Sequence, residues 1–272
     1  MRQEAVSLLR CPICKGALSQ EGNSLLCAKR HCFDVARQGD VNLAPGRRAD
    51  FYTKELFVSR AAVFEGGVFD PVIEAIGGAI ERHVRAAQPV LVDAGCGEGY
   101  YTRRVLAERA MTRIGFDLCK EAVRLAARSD KAGSYFVGDL ANIPLENACA
   151  DVLLDVFTPA NYAEFARVLR PGGVIVKLSP RAGYLVQLRE AARDQLRHAR
   201  YEGGRVEEYA ASRMQVLETR EITYTLPVSE ALVWHLARMT PMLAGVDLER
   251  VDLSGVREIT IDETMVVGQF TK

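Results

Sequence analysis

From Val90 onward, short apolar runs alternate with amphipathic stretches, a pattern that the first part of the chain lacks. The runs predict strands near 90–93, 113–117, 135–138, 151–156 and 174–178, and the stretches between them predict helices near 98–109, 119–128 and 161–169. Their connections are short, as parallel strand–helix–strand units require, so the series reads as a parallel sheet flanked by helices. Arg170-Pro-Gly-Gly173 carries the stop signal between the last of these helices and the fifth strand. After Tyr184 comes a stretch rich in Arg, Gln and Glu that predicts a helix to about Arg200. A strand at Leu217–Leu226, a helix at Glu230–Met239 and a strand at Glu258–Phe270 follow, and two strands after five parallel ones predict a hairpin-like edge and a seven-stranded sheet.

Upstream, Phe57–Phe64 and Val68–Arg85 place apolar residues at helical spacing, with Gly66-Gly67 between them. Residues 33–45 are amphipathic and stop at Pro45, whereas residues 46–55 are polar and rich in Arg and Asp, which predicts a mobile linker. The expected organisation is a front unit over 1–45, a linker with helices over 46–88, and an α/β domain over 89–272.

With 272 residues, 49% of them hydrophobic, the chain is long enough for one sizeable core and an appendage. A formal net charge of zero excludes a uniformly cationic coat, although residues 1–60 hold ten Lys and Arg against six Asp and Glu. Neither a signal peptide nor an apolar run long enough to cross a bilayer is present, so a cytoplasmic location without membrane contact is expected. In that reducing setting, seven cysteines point to metal or burial before disulfides.

The chemistry concentrates first in Val90–Gly99, where an apolar run ends on Asp93 and breaks into Gly95, Gly97 and Gly99 before a helix that opens at Glu98. Strand, glycine turn and helix place such a loop at the carboxyl edge of a parallel sheet. The spacing is G-x-G-x-G, not the G-x-G-x-x-G of dinucleotide folds, which suggests a ligand without a pyrophosphate. S-adenosylmethionine fits, because glycine lets the backbone approach closely and Asp93 can help to hold the ligand's amino group. Asp117 ends a second strand at a distance suited to both ribose hydroxyls, and Asp139 with Leu140 ends a third where a carboxylate and a backbone amide can meet adenine. One strand-end acid is usually a turn former; three in succession after a glycine loop favour a nucleoside site.

A second constellation lies at the front. Cys11 and Cys14 form a C-x2-C knuckle, and Cys27 with His31 forms a second pair at C-x3-H, with Gly16 and Gly22 available for turns. This is how a ribbon too small for its own core holds tetrahedral zinc, and four protein ligands leave no open position, so the metal is expected to be structural. Cys32 is the alternative fourth ligand.

Taken with Arg30-His31-x-Phe33-Asp34, Val41-Asn42-Leu43, Asp155-Val-Phe157-Thr-Pro159-Ala-Asn161-Tyr162 and Met239-Thr240-Pro241, these motifs give a chain that resembles the bacterial 23S rRNA guanine-N1 methyltransferases nearly end to end. It is most similar to their Gram-positive branch, which includes the tylosin and mycinamicin resistance methylases and modifies a guanine in the helix 35 hairpin loop of 23S rRNA. The resemblance implies an α/β fold, a seven-stranded class I SAM-dependent methyltransferase (Rossmann-like) sheet with a small N-terminal zinc ribbon. It implies zinc on Cys11, Cys14, Cys27 and His31, and cofactor contacts from Phe69, Gly97, Glu98 and position 184. Family members often carry His where this chain has Tyr184.

Methylation at guanine N1 needs the N1 proton removed, and Asp155, at the end of the fourth strand, is the expected base, with a structural acid as the plainer reading. Phe157, Pro159, Asn161 and Tyr162 are the expected platform for the swung-out base. Lys15, Lys29, Arg30 and Arg37 would grip the RNA backbone, so that removing residues 1–45 should abolish RNA methylation while leaving cofactor affinity nearly intact. A small-molecule methyltransferase with a structural zinc ribbon and a non-catalytic rRNA-binding protein stay open as alternatives, as does a homodimer.

Overall fold

The computed structural model describes residues 1–47, 54–196 and 205–270. In chain order the front contains α1 (Gln3–Val6), β1 (Leu18–Glu21), β2 (Ser24–Cys27), β3 (Cys32–Asp34) and β4 (Val41–Asn42). Two helices follow, α2 (Lys54–Glu65) and α3 (Asp70–His83). The α/β series is β5 (Val90–Ala94), α4 (Tyr100–Arg104), β6 (Thr112–Asp117), α5 (Lys120–Ser129), β7 (Ser134–Val137), β8 (Ala150–Val156), α6 (Tyr162–Val168) and β9 (Leu169–Pro180). It is completed by α7 (Val186–Ala191), α8 (Arg205–Arg213), β10 (Gln215–Pro227), α9 (Glu230–Met239) and β11 (Glu258–Gln269). Most of the linker expected over 46–55, and the end of the helix expected to reach Arg200, lie outside the described residues.

β1, β2 and β3 form a small antiparallel sheet, and the main sheet runs in the order β10-β11-β9-β8-β5-β6-β7-β4. Its centre is parallel and its β10–β11 edge antiparallel. The seven expected strands are all present. The eighth, β4, comes from the front of the chain and pairs in parallel with β7, Val41 opposite Phe136 and Asn42 opposite Val137. Strand order reverses on either side of β5, which is where an open α/β sheet forms its ligand crevice.

The front of the chain shares its core with the main sheet. Val6, Leu9, Cys11, Leu25, Phe33 and Leu43 are buried with Val92, Ile114, Phe136, Leu153 and Ile175 in one apolar cluster. An antiparallel bridge between Leu9 and Leu145, and bonds from Arg10 N to Pro144 O and from Glu146 N to Leu8 O, tie the two together. Residues 1–45 therefore share one apolar core with the main sheet. The opposite face of the sheet is covered by α2, α3, α7 and α9.

The helix expected over 98–109 ends at Arg104. Arg113, on the next strand, donates through Nη2 to the carbonyls of Leu106 at 2.6 Å and of Val105 and Arg109 at 3.4 Å, and Leu106 turns to a φ of 47°. A side chain from the following strand thus satisfies carbonyls that a longer helix would have paired internally.

Candidate active site and metal centre

At the carboxyl edge of the parallel strands lies a cleft of about 330 Å³, within the range that holds a nucleoside-sized ligand. Gly95 builds its floor with a φ of +76°, and a Cβ there would sit 2.3 Å from Thr158 Oγ1, so only glycine fits both the turn and the space. The Gly97 amide donates to Asp117 Oδ2 at 3.0 Å, and the Cys119 amide donates to Asp117 Oδ1 at 2.8 Å, which fixes the end of β6 against the glycine loop. Thr102 Oγ1 donates to Asp93 Oδ2 at 2.6 Å.

Asp93 and Asp117 lie in the same electronegative pocket. Burial, and to a smaller extent the charges of Asp117 and Glu98, push the Asp93 carboxyl up to about 7, with the Thr102 bond opposing. Burial likewise raises Asp117, against the two backbone amides that favour its charge. A cationic ligand relieves this strain, and a sulfonium or an α-ammonium is such a ligand.

Phe69, Asp93, Gly95, Gly97, Asp117, Asp139, Leu140, Phe157, Pro159 and Tyr184 all line the cleft, as expected. Phe157 is 41% exposed at a φ of 55°, and its ring lies 5.4 Å from that of Tyr184. Asp139 Oδ2 is 2.8 Å from Arg47 Nε, an exchangeable surface pair.

Four expected residues are not brought to the cleft lining. Glu98 is buried behind the loop with Oε2 accepting from Arg60 Nε at 2.8 Å, while Oε1 has no hydrogen-bond partner. Asp155 is 0% exposed and its Oδ2 lies 2.7 Å from Lys177 Nζ, so it faces the interior of the sheet as half of an ion pair. Asn161 caps α6, its Oδ1 accepting from the Glu164 amide at 3.3 Å and its Nδ2 donating to Leu140 O at 3.0 Å. Tyr162 packs against Phe165, Tyr209 and Phe270.

The sequence had given no site role to Phe57, Arg60, Phe64, Tyr101, Thr158, Met239 or Pro241, all of which line the cleft. Phe57, Arg60 and Phe64 sit three and four residues apart on α2, one face of a helix, with the Arg60 guanidinium 5.0 Å from the Phe64 ring centre. That spacing, with a cation between two aromatics, was the available signal.

In the front unit, ligand atoms of Cys11, Cys14, Cys27 and His31 all lie within 4.8 Å of one another. His31 Nδ1 is 3.4 Å from both Cys11 Sγ and Cys27 Sγ, whereas the Cys32 side chain is exposed on β3, so the histidine completes the set. Three thiolates and an imidazole fit zinc and leave no vacant position, so the metal holds the ribbon together and takes no part in chemistry. S-adenosylmethionine also fits its cleft: buried acids and a glycine floor suit a cation that carries a nucleoside.

Residues 9–48 match the zinc-ribbon family described as RlmA, N-terminal, and residues 92–177 match the methyltransferase domain family. The chain is 33% identical over 277 residues to the 23S rRNA (guanine(748)-N(1))-methyltransferase of Streptomyces fradiae, covering 98% of each. It is 32% identical over 275 residues to YxjB of Bacillus subtilis (strain 168), a candidate 23S rRNA (guanine-N(1)-)-methyltransferase, covering 96% of this chain and 97% of that one. The solved structure of YcgJ from Bacillus subtilis shares the fold, with a TM-score of 0.50 at 16% identity over 73% of this chain and 99% of the other. No helix among the described residues is long and apolar enough to cross a membrane. With the set of three cysteines and a histidine, the glycine-floored cleft and a likeness that runs from end to end, this chain belongs to the family of S-adenosylmethionine-dependent 23S rRNA guanine-N1 methyltransferases.

Proposed function

We propose that this protein methylates N1 of a guanine in the hairpin loop of helix 35 of 23S rRNA, and that the modification protects the ribosome against a macrolide. The observation that carries the reading is one cleft that joins three strand-end acids, Asp93, Asp117 and Asp139, to the exposed aromatic Phe157. S-adenosylmethionine supplies the methyl group on a sulfonium that is already a strong electrophile, so the protein has mainly to align it and exclude water.

Asp93 holds the donor's amino group, Asp117 its ribose, and Asp139 with Leu140 its adenine. Phe69 and Tyr184 close the pocket on the aromatic side. Phe157 and Pro159 form the surface on which the unstacked guanine rests, a role that suits an exposed ring at the mouth of the cleft. Lys15, Lys29, Arg30 and Arg37, all exposed on the metal-bound front, contact RNA phosphates.

The test is primer extension on 23S rRNA incubated with the purified protein and the donor. N1 methylation blocks base pairing, so a single new stop inside the helix 35 loop is expected. Stops elsewhere, or none with rRNA but turnover with a metabolite extract, would replace this substrate with another.

A further inference from the structure

The amino group, ribose and adenine of the donor have partners in the reading above, and the α-carboxylate of its methionine end has none. Three acids, Asp93, Asp117 and Asp139, line the cleft, so a carboxylate placed there without a cation would lose its water and meet like charge. Among the described residues, the lining holds a single Lys, Arg or His side chain, that of Arg60 on α2.

α2 is pinned beside the cleft at two points. Phe57 is buried against Cys119 and Ala122, where α5 begins. Phe64 stacks on Tyr100 of α4, with ring centres 4.1 Å apart and planes within 7° of parallel. Arg60 lies between these two anchors, about one helical turn from each.

The guanidinium is fixed in turn. Its Nε donates to Glu98 Oε2 at 2.8 Å, with the Arg60 side chain 25% and the Glu98 side chain 7% exposed, so the bond is a directed one in a largely dry place and not a loose surface pair. Nη2 is turned to the glycine loop: a Cβ built on Gly97 would lie 3.3 Å from it. A guanidinium presents N–H donors along more than one edge and can hold two carboxylates together, which an ammonium cannot do with the same geometry.

We propose that Arg60 receives the donor's α-carboxylate through its Nη groups while Glu98 holds the guanidinium at Nε. This rests on the methyltransferase reading above. The amino and carboxylate groups of the donor share one carbon, so their partners must meet at one place. Asp93 opens the glycine loop, and Gly97, four residues on, lies against Arg60. Acid and guanidinium are thus arranged for a zwitterion, and the cleft selects a nucleoside that carries a whole amino acid over one that carries only an amine. The contact is the same before and after methyl transfer, so it serves affinity and leaves the chemical step alone.

The experiment uses the full-length chain and two probes, S-adenosylhomocysteine and its decarboxylated form, which keeps the amino group. Wild type should prefer the first. Arg60→Met should bind S-adenosylhomocysteine about 10- to 100-fold more weakly, the worth of hydrogen bonds between charged groups, and the decarboxylated probe within about twofold as before. Arg60→Lys keeps the charge without the planar fork and should retain only part of the preference. In rRNA methylation by Arg60→Met, the donor KM should rise by a similar factor with kcat nearly unchanged. Equal losses for both probes in Arg60→Met would mean that the side chain only holds α2 in place, and would overturn the proposal. So would a wild type indifferent to the carboxylate. If Arg60→Met fails to fold, an undiminished preference in Arg60→Lys overturns it equally. A wild type that binds neither probe would instead overturn the underlying reading, and this role with it.

Discussion

The side-chain amide of Asn142 donates to the carbonyl of Pro12 at 3.2 Å. Its oxygen accepts from Lys15 Nζ, so one residue clasps the first metal-binding knuckle from both sides. Asn142 belongs to the loop that leaves the cleft at Asp139 and Leu140, and its own amide donates to Asp139 O at 2.9 Å. Metal centre and donor pocket are thereby two ends of one short connection.

Metal loss should accordingly be felt at the cofactor site. Removing the zinc with a chelator, or replacing Cys14 by Ser, should lower Tm by about 10 °C, which for a chain of this size corresponds to roughly 3 kcal/mol. It should weaken donor binding in parallel. Calorimetry of the metal-free chain checks both, and unchanged donor affinity in a metal-free, folded chain would show that the ribbon and the cleft are independent.

Asp93 makes donor binding depend on pH. Its carboxyl titrates at about 7 in the folded chain against an ordinary 3.8, so the stability it contributes is complete below that lower value and lost as pH rises through about 7. A bound cation restores the charged form, so binding releases a proton. Donor affinity should rise by up to about tenfold per pH unit between pH 5 and 7 and level off above. Titration calorimetry in buffers of different ionisation enthalpy measures the released proton, and Asp93→Asn should bind more weakly with no such slope.

The Val90–Gly99 unit was legible because its signals are local: an apolar run, an acid and three glycines adjacent in sequence that fold as one strand, turn and helix. The docking of the front unit was not. β4 has two residues, and its partner in the sheet lies almost a hundred positions away, so no window on the chain contains both. The contacts of Asp155 and Asn161 were not legible for a related reason. A strand-end acid and a residue before a helix carry the same sequence signal whether they face a ligand or satisfy Lys177 and a helix amide.

The Asp155–Lys177 pair should report on stability before chemistry. Leaving one buried charge without its partner costs about 3–5 kcal/mol, so Asp155→Asn should be strongly destabilised. Replacing both residues by apolar ones of similar size should recover much of that loss. Chemical denaturation measures it. A stable Asp155→Asn protein that binds donor and rRNA but transfers no methyl group would return the proton-accepting role to Asp155.

Phe157 and Asn161 should separate cleanly. Phe157→Ala removes an exposed stacking surface and should reduce kcat/KM for rRNA by about 10- to 100-fold, the worth of one stacked base, with little change in Tm. Asn161→Ala removes a helix cap and should cost about 1 kcal/mol of stability while leaving rRNA recognition intact. Steady-state kinetics with melting curves on both variants distinguishes the two.

The most direct test follows the methyl group itself. The protein is incubated with 23S rRNA and methyl-labelled S-adenosylmethionine, the RNA is digested to nucleosides, and the labelled nucleoside is identified by mass. Label in 1-methylguanosine is expected, and Gly95→Ala, whose new Cβ would meet Thr158 on the cleft floor, should transfer almost none while keeping its metal. Label in any other nucleoside, or equal transfer by Gly95→Ala, would contradict a donor seated on the glycine loop and aimed at guanine N1.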